Sequence, residues 1–247
     1  MARHQPAELA RPERRTDRPH RPLDRKLLLP VGMSSRLYIV GTGGYAKEVA
    51  QLAHAVMQAT GSWTEIAFLG EDEADASTAM PFGKVVGTDA LLLDARHDLD
   101  VVIGIGSPRI RQALATRLSR LSHLRFPNLF HPRMTVSLEY LRCGVGNLFH
   151  AGSAVECDVV VGDFNVFNLN TTLGHDSVIG SCNVFNPGCN VSGNVRMGDG
   201  CLAGTGCQVL EKLSVASRTT LGAGAVLVRS IDVEDGVYVG VPARRRR

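Results

Sequence analysis

Between Cys143 and Val239 an apolar residue recurs at every sixth position: Cys143, Phe149, Val155, Val161, Phe167, Leu173, Ile179, Phe185, Val191, Met197, Ala203, Val209, Val215, Leu221, Leu227, Val233 and Val239. All 17 positions are apolar, where average composition gives roughly half. Glycine follows directly at Gly144, Gly162, Gly174, Gly180, Gly198, Gly204, Gly222 and Gly240. Neither the helical period of about 3.6 nor the strand period of about 2 yields this pattern. A sixfold repeat predicts a parallel β-helix, in which short strands wind round a core that only stacking can close. Three hexapeptides make a coil of 18 residues, and Phe149, Phe167 and Phe185, like Asn147, Asn165 and Asn183, recur at that spacing. Residues so spaced should lie one above another, about 4.8 Å apart.

Upstream the pattern changes to alternating strand and helix signals. Arg36 to Val40 reads as a buried strand running into Gly41-Thr42-Gly43-Gly44. A helix follows with Ala46, Val49, Ala50, Ala53, Val56 and Met57 on one face. Glu65 to Leu69 is a second strand ending at Gly70-Glu71-Asp72, and Lys84 to Gly87 is a short extended piece with Asp89 as N-cap of a small helix. Asp100 to Ile105 is a further strand, Ser107-Pro108 opens a helix to about Arg120, and a last strand ends near Asn128. His131-Pro132 reads as a linker. Strand, crossover helix, strand is the grammar of a small parallel Rossmann-like sheet. The expected order is an Arg/Pro-rich disordered extension (1–33), a Rossmann-like α/β domain (34–134), a β-helix (135–243) and a basic tail (244–247).

The net charge of +3 belongs to the ends of the chain rather than to the fold. Residues 1–33 carry 8 Lys/Arg against 4 Asp/Glu and Arg244 to Arg247 add four, which leaves 15 basic and 20 acidic residues between them. That distribution argues against nucleic acid as a partner. No apolar run approaches the ~20 residues that cross a bilayer, and the first 30 residues lack the apolar centre of a secretory signal. A cytoplasmic protein without a membrane partner is expected. Six cysteines form no CxxC pair, and the β-helix holds only His150 and His175, in different columns, so no metal is expected.

Two stretches carry candidate chemistry. Gly41, Gly43 and Ala46 satisfy G-x-G-x-x-[GA] between a strand and a helix, a geometry that offers backbone N–H groups to a diphosphate. A dinucleotide fingerprint wants an acid about 20 residues on; the candidate here is Glu71, 30 residues after Gly41. A nucleotide diphosphate site therefore fits better than NAD, beside the alternative of a purely structural tight turn. The second stretch is Gly174-His175-Asp176. His175 falls at a corner of its coil, and a neutral imidazole there can take a proton near pH 7. Gly193 stands 18 residues later, one coil up, with no side chain and an N–H that can face an oxyanion. Asp158 lies one coil below Asp176. The competing reading of His175 is a solvated turn residue.

From about residue 36 to 243 the chain resembles the bacterial sugar acyltransferases that join a Rossmann-like domain to a left-handed β-helix, including the sialic acid O-acetyltransferases and the N-acetyltransferases of nucleotide-linked amino sugars. The resemblance rests on IVGTGGYAKEV, FPNLFHP, GHDSVIGSCNVFNPGCNVSGNV, LGAGAVLV and VGVPA. It implies a homotrimer with acetyl-CoA as cosubstrate between neighbouring β-helices. It also implies an acceptor sugar activated by a nucleotide, in surface-glycan synthesis. In the family pattern His175 is the general base, Asp176 raises its basicity, the Gly193 N–H faces the thioester oxygen, and Thr205 and Ala223 line the CoA channel. Gly43, Gly44 and Tyr45 would hold the diphosphate, with Gly70, Glu71 and Gly87 near the nucleoside.

Two departures bear on this. Studied amino-sugar members carry a second histidine nine residues after the first, where this chain has Val184, and paired aspartates where it has Gly70-Glu71. Three alternatives stay open: O-acetylation of sialic acid or another sugar, a trimeric nucleotide- or NAD-binding protein without catalysis, and a degenerate member that binds but does not turn over.

Overall fold

A computed structural model describes residues 35–246, so the expected N-terminal extension lies outside the described residues. The first half is a six-stranded sheet built from β1 (Arg36–Val40), β2 (Glu65–Gly70), β3 (Ala79–Met80), β4 (Gly83–Thr88), β5 (Leu99–Ile103) and β6 (Leu124–Arg125), in the order β3-β4-β2-β1-β5-β6. All neighbours are parallel except β3 and β4. Buried on both faces, β1, β2 and β5 read as continuous apolar runs because helices cover each side. Helix α1 (Gly44–Thr60) covers one face, and α2 (Ala90–Asp94) with α3 (Pro108–Leu118) covers the other. Asp89 stands at the N-cap position of α2 without making a side-chain cap; its carboxylate pairs with Arg117 of α3 instead.

The second half is a parallel β-helix with three faces. Face one stacks Leu129–Phe130, Leu148–Phe149, Val166–Phe167, Val184–Phe185, Leu202–Ala203 and Thr220–Leu221. Face two runs from Thr135–Val136 through Thr172–Leu173 to Val226–Leu227, and face three from Leu141–Cys143 through Val178–Ile179 to Ser214–Val215. The phenylalanine column is present, with ring centroids 4.9, 4.6 and 5.0 Å apart from Phe130 through Phe149 and Phe167 to Phe185. Beside it the asparagine column works as a hydrogen-bond ladder. Asn165 N–H donates to Asn147 Oδ1 (2.9 Å), Asn183 N–H to Asn165 Oδ1 (2.9 Å) and Cys201 N–H to Asn183 Oδ1 (2.7 Å). At corners the backbone leaves the strand ladders, and these buried side chains supply the acceptors that its N–H groups still require.

Two expectations of register are corrected. The β-helix begins earlier than residue 135: Leu129–Phe130 pairs with Leu148–Phe149, so Phe130 joins the aromatic column and His131 is a corner residue rather than a linker. The offset there is 19 residues instead of 18, and one extra residue in the first coil hides it from an exact repeat. At the other end Val233 and Val239 are exposed, while Ile231 fills the interior under a bridge to Val215. Arg244–Arg245, expected in a basic tail, form an antiparallel edge strand on Val237–Val239.

Helix α1 joins the halves. Its buried face lies in one cluster with Leu37, Ile66 and Phe68 of the sheet and with Leu129, Leu148, Val166 and Val184 projecting from face one. Phe167→Ala should cost about 3–5 kcal/mol by loss of a buried ring between two others, read by chemical denaturation. Val233→Ala, on the corrected register, should stay within about 0.5 kcal/mol.

Candidate active site

His175 sits on the corner between faces two and three. Asp176 adopts a left-handed φ of 59°, which turns its carboxylate onto the ring: His175 Nδ1 and Asp176 Oδ2 are 2.7 Å apart. A carboxylate accepts from Nδ1–H, which leaves Nε2 as the basic nitrogen. Both side chains are largely exposed. The imidazole leans over Gly193, where a Cβ would come within 2.6 Å of His175 Nε2. Among the described residues no protein group accepts the Gly193 N–H, while its neighbour Asn194 donates to His175 O (2.8 Å). His175, Asp176 and Gly193 therefore form one constellation: an oriented base, open space and a free N–H. Asp158 makes no bond to the imidazole among the described residues; Asp176 alone orients it.

Thr205 and Ala223 also stack, as Gly224 N–H donates to Thr205 O (2.8 Å). They belong to the corner between faces one and two, so within one chain they do not join His175.

The glycine turn lies at the carboxyl edge of the sheet, between β1 and its neighbours β2 and β5, where open α/β sheets bind ligands. Gly41 has φ 112° and donates to Leu69 O (2.8 Å), and a Cβ there would come within 2.7 Å of Ile105 Cδ1. Gly43 and Gly44 are exposed and face open space, so the first-turn N–H groups of α1 are accessible. Gly70, Glu71 and Gly87 join the same edge, since Leu69 pairs with Gly87 and Gly70 with Thr88 across a bulge.

Tyr45, next to Gly44 in the first turn of α1, reaches the β-helix. Its Oη lies 3.1 Å from His150 Nε2, and burial pushes the phenol pKa up. Beside it lies Arg111, fully buried, with Nη2 donating to Ile103 O (2.9 Å) and with Nε and Nη1 unpartnered among the described residues. Burial, then His131 and Arg111, depress His150 to about 4. Sequence reasoning missed this junction group, and also Glu73, whose carboxylate accepts from Thr88 Oγ1 (2.6 Å) beside Gly87. Single polar residues outside any motif gave no signal.

Residues 36–118 match the PglD N-terminal domain family. The acetyltransferase domain of PglB from Neisseria gonorrhoeae FA1090 is similar at 31% identity over 86% of this chain and 100% of that chain, with a TM-score of 0.79. The chain belongs to the bacterial sugar acyltransferases that carry a hexapeptide-repeat β-helix. A second structure of the PglB domain, in complex with acetyl coenzyme A, gives a TM-score of 0.78 at the same 31% identity and coverage of 86% and 100%. PerB from Caulobacter crescentus, in complex with CoA and GDP-perosamine, is 27% identical over 85% of this chain and 97% of that chain, with a TM-score of 0.75. A comparison with curated proteins finds no match.

As in those structures, an α/β domain precedes a left-handed parallel β-helix. Within this acyltransferase Val184 is buried under α1. Among the described residues no cluster of three or more His, Cys, Asp or Glu could hold a metal, and no helix is long and apolar enough to cross a membrane.

Gly193→Ala should displace the imidazole, seen as shifted His175 ring resonances by NMR with the fold retained. His150 sets a pH dependence. Its folded pKa of about 4 lies below the ordinary 6.5, so between those values the unfolded chain takes up a proton that the folded chain refuses. Stability should fall as pH drops from 6.5 to 4, by on the order of 3 kcal/mol. Urea midpoints of the wild type and His150→Gln across that window check this, the variant lacking that part of the slope.

Proposed function

We propose that the chain transfers an acetyl group from acetyl-CoA to an amino group of a nucleotide-activated sugar, with His175 as general base. The observation that carries this reading is the His175–Asp176 pair leaning over Gly193 with Nε2 free. Nε2 takes the proton of the acceptor nitrogen as that nitrogen attacks the thioester carbonyl. The Gly193 N–H donates to the oxyanion, and the imidazolium returns its proton to the departing thiolate. Asp176 holds the tautomer that makes this possible. The accessible glycine turn supports a nucleotide diphosphate in the N-terminal domain. PerB, bound to CoA and GDP-perosamine, supports the pairing of cosubstrate and acceptor, and its description as an N-acetyltransferase favours nitrogen over oxygen.

The separation of the two candidate sites on one chain supports an active site shared between the chains of a homotrimer. The glycine turn lies over face one, through α1, and His175 lies on the opposite corner of the prism. A sugar held by one chain meets the base of a neighbour. Thr205 and Ala223, on the corner nearer α1, would then line CoA from the side opposite the neighbour's Gly193.

His175→Ala should lower kcat by about 10²–10⁴-fold in an acetyl-CoA turnover assay against UDP-, GDP- and dTDP-amino sugars and free sialic acid, read by product mass. Near-normal turnover by the variant would remove the mechanism, and no acetylated product from any sugar would remove the function.

A further inference from the structure

Arg111, near the start of α3, is fully buried. A guanidinium keeps its charge in a protein, so enclosing one calls for a counter-charge. The fold supplies none. Nη2 donates to Ile103 O (2.9 Å), Nε and Nη1 have no protein partner, and among the described residues no carboxylate pairs with the side chain. The titratable groups around it are neutral as well. Burial pushes the Tyr45 phenol up, the Cys182 thiol up to about 11 and the His150 imidazole down to about 4. One positive charge is thus enclosed among uncharged neighbours.

Its position gives that charge a use. Ile103, which holds Nη2, ends β5 and pairs with Val40, the residue before Gly41. Gly104 N–H donates to Val40 O (2.8 Å), and a Cβ on Gly106 would lie 3.7 Å from the Tyr45 Cβ. The guanidinium therefore sits behind the glycine turn and the 104–107 loop beside it, within roughly 10 Å, about two strand spacings. Being enclosed, it acts on a ligand through its field. At that range, with an effective dielectric of about 20, one cation favours each negative charge at the turn on the order of tenfold. The N–H groups at the start of α1 offer direction but only partial charge.

We propose that Arg111 is a positioning residue for the nucleotide, a built-in cation whose counter-ion is the diphosphate held at the glycine turn. The proposal rests on the nucleotide reading above and adds the full charge that the turn itself lacks. An unanswered buried cation destabilises the empty protein, so removing this one should cost the ligand and spare the fold.

Four variants test it. Arg111→Met removes the charge at similar side-chain length, and Arg111→Lys keeps it. Cys182→Asp leaves Arg111 in place but sets a carboxylate beside it, with Cys182→Ser as the neutral control. Calorimetry gives Kd for UDP, GDP and dTDP, for the matching monophosphates, and for acetyl-CoA; thermal unfolding gives Tm without ligand. Arg111→Met and Cys182→Asp should each raise Kd about tenfold or more for the diphosphate that the wild type binds best, and less for its monophosphate. Ligand-free Tm should be no lower and the acetyl-CoA Kd unchanged. Arg111→Lys and Cys182→Ser should stay within about threefold of the wild type. A diphosphate Kd unchanged in Arg111→Met or in Cys182→Asp, or raised equally in Arg111→Met and Arg111→Lys, would overturn the electrostatic role and leave the nucleotide reading in place. A ligand-free Tm that falls in Arg111→Met would overturn it too, because the arginine would then be holding the fold. A wild type that binds no nucleoside diphosphate would overturn the nucleotide reading and this role together.

Discussion

Parallel pairing between successive coils is the constraint on which the β-helix depends. Its strands are only two or three residues long, too short to persist unless each is paired above and below and its inward side chain is buried by its neighbours. Stacking also needs an answer for the corners, where N–H groups leave the strand ladders. The interior asparagine column supplies one. A second column supplies another on the outside of the same corner, with Val145 N–H donating to Asp163 Oδ1 (2.8 Å), Asp163 N–H to Ser181 Oγ (3.0 Å) and Ser181 N–H to Asp199 Oδ1 (2.6 Å). With both sets of groups satisfied, a coil position becomes a reliable coordinate. That is why an imidazole on one coil finds a glycine directly beside it on the next.

Helix α1 carries this order into the α/β domain. It is buried between the sheet and face one of the β-helix, and its N-terminus is the glycine turn. The Tyr45–His150 contact and the Glu48–Asn168 bond tie its first two turns to the coils. A buried guanidinium at Arg111 lies close by, a cation without a carboxylate partner among the described residues. It contributes positive charge beneath a turn whose N–H groups already favour anions. Because the helix is held on both sides, the glycine turn and His175 keep their separation on opposite sides of one prism. The two candidate sites thus lie on two surfaces of a single chain.

The periodic parts of this architecture were legible from the chain alone, and the irregular parts were not. The hexapeptide series located the inward residues from Phe149 to Leu227, and the 18-residue columns placed Gly193 beside His175, since stacking converts sequence distance into spatial position directly. The same rule failed where a residue is inserted or the register slips. Phe130 and His131 were hidden by an offset of 19, and Val233 kept the sixfold rhythm although Ile231 fills the interior.

Local sequence thus determined what repeats or turns sharply: the sheet strands, the glycine turn, the coils, and the pairing of His175 with Asp176. Tertiary structure alone decided what meets across the junction. The Tyr45 phenol met His150, burial lowered the pKa of His150, and Glu48, His131 and Asn168 converged on one trough. Glu48 and Asn168 lie 120 positions apart, and the group spans elements with different periods. No repeat relates them, and only the docking of α1 on face one brings them together.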